Sequence, residues 1–264
     1  MSTLATPTHA HPEPGSREDP YRYGWRFVSG KGANGKEPIE QVPLTAENLL
    51  HPEEGDFTVE RSLHERNRRY LANQFTTRIA ADATALVLSD CRISWDISSL
   101  RPHGADIAVI FGVRRRREDY KTYHVGEDGP RPSLITEIVS PDPEARANDV
   151  EHKVREYHQA RVPCYVIVDR PSEQGPSTLI GYRYTPKRFV KMKPDKKGRL
   201  WLEPLKLWIG LKTNQVTLYD GTSNEELLDL PEAAAALNAV ETRVRELEEK
   251  LRRAGGKSNG SSSR

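Results

Sequence analysis

The stretch LITEIVSPDPEARANDVEHKVREYHQARVPCYVIVD, Leu134 to Asp169, decides the fold. It opens on an apolar run, Leu134–Val139, that suits a buried strand and carries one acid, Glu137. An ionised carboxylate in such a run costs several kcal/mol unless it is paired or bound to a metal. Ser140-Pro141 breaks the strand, and a charged helical segment follows from about Glu144 to Arg161. A second apolar strand, Cys164–Asp169, closes the unit. Within the helix, Asp149, Lys153 and Tyr157 stand at i, i+4 and i+8 and share one face with Val150 and Val154. That face packs on the sheet, so a lysine and a tyrosine lie near its buried edge. A lysine there needs an anion, and Glu137 is the nearest candidate. Blander readings compete: Glu137 ends a strand and pairs with any lysine, or Lys153 simply pairs with Asp149, an interaction worth a few tenths of a kcal/mol.

Working outward, Thr58 to about Ala83 has helical apolar spacing at Leu63, Tyr70, Leu71, Phe75 and Ile79, with His64 and Glu65 on its early turns. Strands are expected at Ala85–Leu88, Ile93–Ile97 and Asp106–Phe111, the last opening on an acid. Arg114–Arg131 reads as a polar, basic excursion. Earlier, Tyr21–Val28 has strand-like aromatics, Thr45–Asn48 starts a helix, and the glycine-rich Gly30–Pro38 lacks the phosphate-loop pattern. After Pro171, short strands separated by turn residues read as an antiparallel extension of the sheet.

The chain has 264 residues and a formal net charge of +2, enough for one large domain with appendages. Residues 1–20 read as a disordered tail in which His9 and His11 are incidental, and 21–220 as the domain. Residues 225–254 carry a heptad seam: Leu230, Leu237, Val244 and Leu251, with Ala233, Val240 and Leu247 three residues on. The seam predicts a coiled-coil helix that pairs with a second copy or folds back; residues 255–264 are a Gly/Ser tail. No run of 18 apolar residues predicts a membrane span, and the N-terminus lacks a signal-peptide pattern. Cys91 and Cys164 lack C-x-x-C spacing and read as buried reduced thiols of a cytoplasmic protein. The total charge does not single out nucleic acid; the local runs Arg114–Arg117 and Lys187–Arg199 say more.

Asp106 and Glu137 on adjacent strands would share a hard divalent cation such as Mg²⁺, which takes oxygen ligands and keeps several waters. A nearby lysine would orient or help deprotonate the attacking water and neutralise developing phosphate charge.

Here the sequence resembles the Uma-two-type restriction endonuclease family of the PD-(D/E)XK nuclease superfamily, over roughly residues 43–211. The resemblance is carried by HGADIAVIFG at 103–112, by the stretch from Ile135 to Asp169, and by the helix with His64. It implies a restriction-endonuclease-like α/β core, a central mixed sheet flanked by helices, here with a β-rich C-terminal half. It further implies that Asp106 and Glu137 bind Mg²⁺ (or Mn²⁺), with a main-chain carbonyl near Ile138 as a third ligand. Lys153 takes the place of the lysine that many superfamily members carry two residues after the glutamate, where this chain has Val139. His64 and Tyr157 are supporting residues. Ala105 stands where the family often has proline. The expected activity is hydrolysis of DNA phosphodiester bonds, with RNA or branched DNA as variants. Arg114, Arg115, Arg116 and Arg117 are candidate DNA contacts, although such a run is more often a solvated loop. The competing expectation is a catalytically inactive nuclease-fold module that assembles through its C-terminal helix.

Overall fold

The computed structural model describes residues 19–30 and 39–256; the expected N-terminal tail through residue 18 with its histidines, the glycine-rich loop, and residues 257–264 lie outside them. The chain divides into two compact units, Met1–Asn224 and Glu225–Arg264. In chain order the strands of the first unit are β1 (Gly24–Ser29), β2 (Ile39–Pro43), β3 (Phe57–Thr58), β4 (Leu86–Ser94), β5 (His103–Ile110), β6 (Thr122–His124) and β7 (Leu134–Ile138). They continue with β8 (Cys164–Asp169), β9 (Thr178–Tyr184), β10 (Phe189–Lys191), β11 (Leu200–Leu202), β12 (Leu207–Lys212) and β13 (Gln215–Asp220). The helices are α1 (Ala46–Leu50), α2 (Ser62–Ile79), α3 (Pro143–Ala147), a π-helical turn (Asn148–His152) and α4 (Lys153–Gln159).

A seven-stranded mixed sheet, order β10-β9-β8-β7-β5-β4-β6, forms the centre. Strands β7 and β8 are buried along their whole length and pair in parallel, Glu137 against Ile167. A parallel pair needs a crossover, and the α3–α4 segment supplies it. Asp142 caps that segment by accepting the Glu144 and Ala145 N–H groups, with Pro143 at the first helical position. On the other side β5 runs antiparallel to β7, Ile107 against Thr136, so Asp106 and Glu137 sit side by side on neighbouring strands. Strand alternation puts Ile135, Glu137 and Val139 on one face. Ile135 and Val139 join the core cluster there with Tyr157, Tyr165, Trp95 and Ile93.

Helix α2 packs against β4, β5 and β13, burying Leu71, Phe75 and Ile79. Each such side chain contributes about 1.5–3 kcal/mol. Polar bonds fix its register. Asn67 donates to Asn214 O at 3.3 Å and accepts the Val216 N–H at 3.1 Å, and the Tyr70 hydroxyl accepts the Leu218 N–H.

Several expected boundaries shift. The helix expected from Thr58 begins at Ser62, because Thr58 pairs with Gly24 as strand β3. Gly24 has φ 111°, and a Cβ there would lie 1.8 Å from Phe57 O, so this crossing requires glycine. The strands expected at 85–88 and 93–97 merge into one strand, β4, which ends at Ser94; Asp90, at φ 52°, is skipped in its ladder between Ser89 against Ile107 and Cys91 against Ala105. Asp106 is the fourth residue of β5 and does not open it. The basic excursion contains β6, which pairs in parallel with β4 and buries Tyr123 completely. Strands β9 and β10 do extend the central sheet antiparallel, whereas β11, β12 and β13 pair antiparallel in a separate sheet.

The second unit holds helix α5 (Leu230–Gly256), whose described side chains are exposed. No helix among the described residues is long and apolar enough to cross a membrane.

Candidate active site

Asp106, Glu137, Asp149 and Lys153 meet at the floor of a cleft of about 890 Å³. Lys153 Nζ donates to Gly104 O at 2.9 Å and lies 3.1 Å from Glu137 Oε1 and 2.9 Å from Asp149 Oδ1. The two pairings that the sequence left open therefore coexist. Tyr157 donates its hydroxyl to Glu137 Oε1 at 2.9 Å, and the Asp106 N–H donates to Glu137 Oε2 at 3.2 Å. Asp106 in turn accepts the Ile138 N–H on Oδ2 at 2.7 Å and faces His64 Nε2 from Oδ1 at 3.1 Å. The π-helical turn carries Asp149 and delivers Lys153 to the sheet; such turns recur at functional sites.

A further layer of charge gathers around the first turns of α2. Glu60 Oε1 is 3.9 Å from His64 Nε2, and Arg68 reaches Glu60, Glu65 and Asp90. The atoms of Glu60, His64 and Asp106 lie within 4.8 Å of one another. Glu60 escaped the sequence reading; its signal was the i, i+4 spacing to His64. The Gly104 carbonyl had no signal at all, since any residue supplies one.

Burial drives the electrostatics. It pushes the Glu137 carboxyl up to about 8, because Lys153 only partly offsets the desolvation and Asp106 and Asp149 add to it. Burial also raises the Asp149 carboxyl, against the pull of Lys153. Asp106 goes the other way: burial opposes it, but the charge and hydrogen bond of His64, with Lys153 and the Ile138 N–H, hold it down at about 2. His64 is desolvated yet raised to about 9 by Asp106 and Glu60. Burial works against the Lys153 ammonium too, and Asp149, Glu137 and Asp106 outweigh it, so its pKa rises.

The donor set fits a hard divalent cation. A carboxylate offers about four lone-pair sites. Glu137 uses three of them and Asp106 two, so both keep acceptor capacity toward the cleft.

Other expected residues lie elsewhere. Ile138 is at the end of β7, where its N–H holds Asp106. The run Arg114–Arg117 follows the C-terminal end of β5, the end of the sheet away from Glu137; Arg117 pairs with Asp128, and all four arginines are exposed. A second group, His51, His103 and Glu156, also gathers near Tyr157. Trp95 Nε1 donates to His103 Nδ1 at 2.7 Å, so the neutral imidazole carries its proton on Nε2 and gives it to Glu156. That tautomer has no free nitrogen for a metal. The group serves as packing: the His103 and Trp95 rings stand 5.1 and 5.8 Å from Tyr157 and hold it against Glu137.

The fold and cleft define a mixed α/β domain whose neighbouring strands present two carboxylates to one helical lysine. The chain belongs to the Uma2 family, described as "Putative restriction endonuclease", whose sequence model matches residues 54–188. The matched segment contains His64, Asp106, Glu137, Lys153 and Tyr157. Among solved structures, one from Anabaena variabilis, described as a "putative nuclease belonging to DUF820", is 17% identical with a TM-score of 0.38, over 58% of this chain and 82% of that one. No curated protein matches the chain.

Proposed function

We propose that this chain is a divalent-metal-dependent endonuclease that hydrolyses DNA phosphodiester bonds. The observation that carries the reading is the convergence of Asp106, Glu137 and Lys153, with the Lys153 ammonium 3.1 Å from Glu137. Membership of a family described as "Putative restriction endonuclease" supports the reaction class. Asp106 and Glu137 would hold the ion, Mg²⁺ or Mn²⁺, with the Ile138 carbonyl as a further ligand. When bound, such an ion polarises a phosphate oxygen and acidifies a water. The chain's own groups do the rest. Tyr157 and the Asp106 N–H fix the Glu137 carboxylate, and His64 and the Ile138 N–H fix Asp106. Lys153, kept as an ammonium by three partners, neutralises charge that develops on the phosphate. Two buried, unpaired thiols suit a reducing cytoplasm. Supercoiled plasmid should be nicked with Mg²⁺ or Mn²⁺ and left intact with chelator; an intact plasmid under all conditions would sink the reading.

A second function belongs to α5. Leu230, Leu237, Val240, Val244, Leu247 and Leu251 are all exposed on it. This stripe has the heptad spacing of a coiled coil, and its occupant on this reading is a second copy of the chain.

A further inference from the structure

Neither basic run of the sequence lines the cleft, and the longer one, Lys187–Arg199, is the more highly charged. Between Lys187 and Arg199 the chain carries seven cations and one acid, Asp195, a local surplus of six positive charges in a chain whose total is +2. The run lies along an edge. β10 is the outermost strand on its side of the central sheet, and Lys187, Arg188, Lys191, Lys193, Lys196 and Lys197 are all exposed. Asp195 is taken by Arg199 at 2.7 Å. The other six side chains have no carboxylate partner among the described residues. Arg183, exposed and opposite Val190 on β9, adds a further cation. Unpaired like charges repel one another, and held together they direct a positive field into solvent.

Register places this strip relative to the cleft. Glu137 pairs with Ile167, and Ile167 with Ile180 on β9. Met192 donates its N–H to Gly181 O, so Lys193 is near the same row, three strands from Glu137 and about 14 Å away at ~4.8 Å per strand. The turn at Lys187 lies past Tyr184, four residues further along β9, or about 13 Å. The strip thus starts level with the carboxylates and leads away from them.

We infer that this edge is a second nucleic-acid surface, holding duplex phosphates outside the cleft. It rests on the nuclease reading for the choice of polymer. A duplex presents one negative charge per ~1.7 Å of its axis, which a row of mobile cations meets without needing a fixed pocket. A shallow depression of about 390 Å³ beside it sets Arg183, Lys191 and Lys193 around the Trp201 ring, a lining suited to a sugar-phosphate segment. A lipid surface fits less well: peripheral membrane binding pairs cations with inserted apolar groups, and Val190 is the sole large apolar side chain exposed in the strip.

The test is the salt dependence of binding to a labelled duplex, read by anisotropy with chelator present from about 50 to 200 mM NaCl. The variant K187Q/R188Q/K191Q/K193Q should flatten the plot of log affinity against log salt by about 0.9 for each phosphate no longer neutralised, roughly 2 to 4 in all. The charge-conserving variant K187R/K191R/K193R should keep the wild-type slope. A wild-type slope in the glutamine variant would overturn the inference. So would loss of binding to phosphatidylserine vesicles with duplex affinity unchanged. A wild-type chain that fails to nick plasmid while the glutamine variant still flattens the slope would remove the nuclease reading and uphold the surface.

Discussion

Lys153 has three N–H donors, and Gly104 O, Glu137 and Asp149 occupy all three. On the nuclease reading proposed above, its side chain is where the chemistry and the packing meet. Lys153→Ala should abolish plasmid cleavage while leaving Mn²⁺ binding nearly intact, because both carboxylates remain; cleavage at the wild-type rate would reduce Lys153 to a salt-bridge residue. Val139 shares the Glu137 face, so Val139→Lys combined with Lys153→Ala returns an ammonium to the same space from the strand. That double variant should recover part of the activity, with incomplete recovery expected because a misplacement of about 1 Å can cost ~10²-fold. Glu137→Gln should lose calorimetrically measured Mn²⁺ binding; unchanged affinity would remove Glu137 from the site. The same variant carries a pH signature. An unfolded glutamate titrates near 4.5, and the buried one is raised to about 8. The native wild type therefore binds the extra proton across that window and loses stability as pH rises through it. Glutamine does not titrate, so with chelator present the melting temperature of the variant minus that of the wild type should grow from about pH 5 to about pH 8. Parallel curves would show that Glu137 carries no such strain. At this scale the sequence was informative: an acid inside an apolar strand and a lysine on a helix face are both costly, and cost is visible in one dimension. Glu60 showed only its i, i+4 spacing to His64 and the Gly104 carbonyl nothing, because an exposed-looking acid and a backbone oxygen cost nothing until the fold places them.

Among elements, the decisive strand–helix–strand unit was legible almost to its boundaries, because buried parallel strands are continuous apolar runs and Ser140-Pro141 marks the break. The π-helical turn was not legible. It follows from how the crossover must fit the sheet, and the i, i+4 spacing of Asp149 and Lys153 reads equally well as a straight helix. The sequence pattern splits β4 in two because Asp90 interrupts its apolar run, yet the ladder closes over it with one left-handed residue. The docking of α2 on β13 joins residues nearly 150 positions apart through Asn67. Asn67→Ala strands the buried Val216 N–H and should cost about 1–3 kcal/mol. In a unit of this size that lowers the melting temperature by about 2–4 °C per kcal/mol. Metal-dependent activity per folded molecule should survive; a melting temperature equal to wild type would mean that water or a neighbour replaces the bond.

At the scale of the whole molecule, the composition hid what the surface shows: a total charge of +2 conceals a basic edge and an acidic cleft. The tail is the reverse case, since its heptads are plain in the sequence and α5 realises them as a 27-residue helix. At 1.5 Å per residue that helix is about 40 Å long. In proteins most helical stability comes from packing of an apolar face rather than from propensity. Leu230 and Leu251 are 69% and 73% exposed, and the four apolar residues between them at least 46%, so the packing partner has to come from outside the helix itself. A parallel or antiparallel second copy offers the same seam, with Glu241 and Glu248 on one flank and Arg243 and Lys250 on the other. Light scattering should therefore give a mass near twice the 29.9 kDa of one chain, and truncation after Asp229 should halve it while leaving the first unit folded. Val244→Glu, a buried charge in the middle of such a seam, should have the same effect as truncation. Equal masses with and without the tail would show that α5 does not hold two chains together.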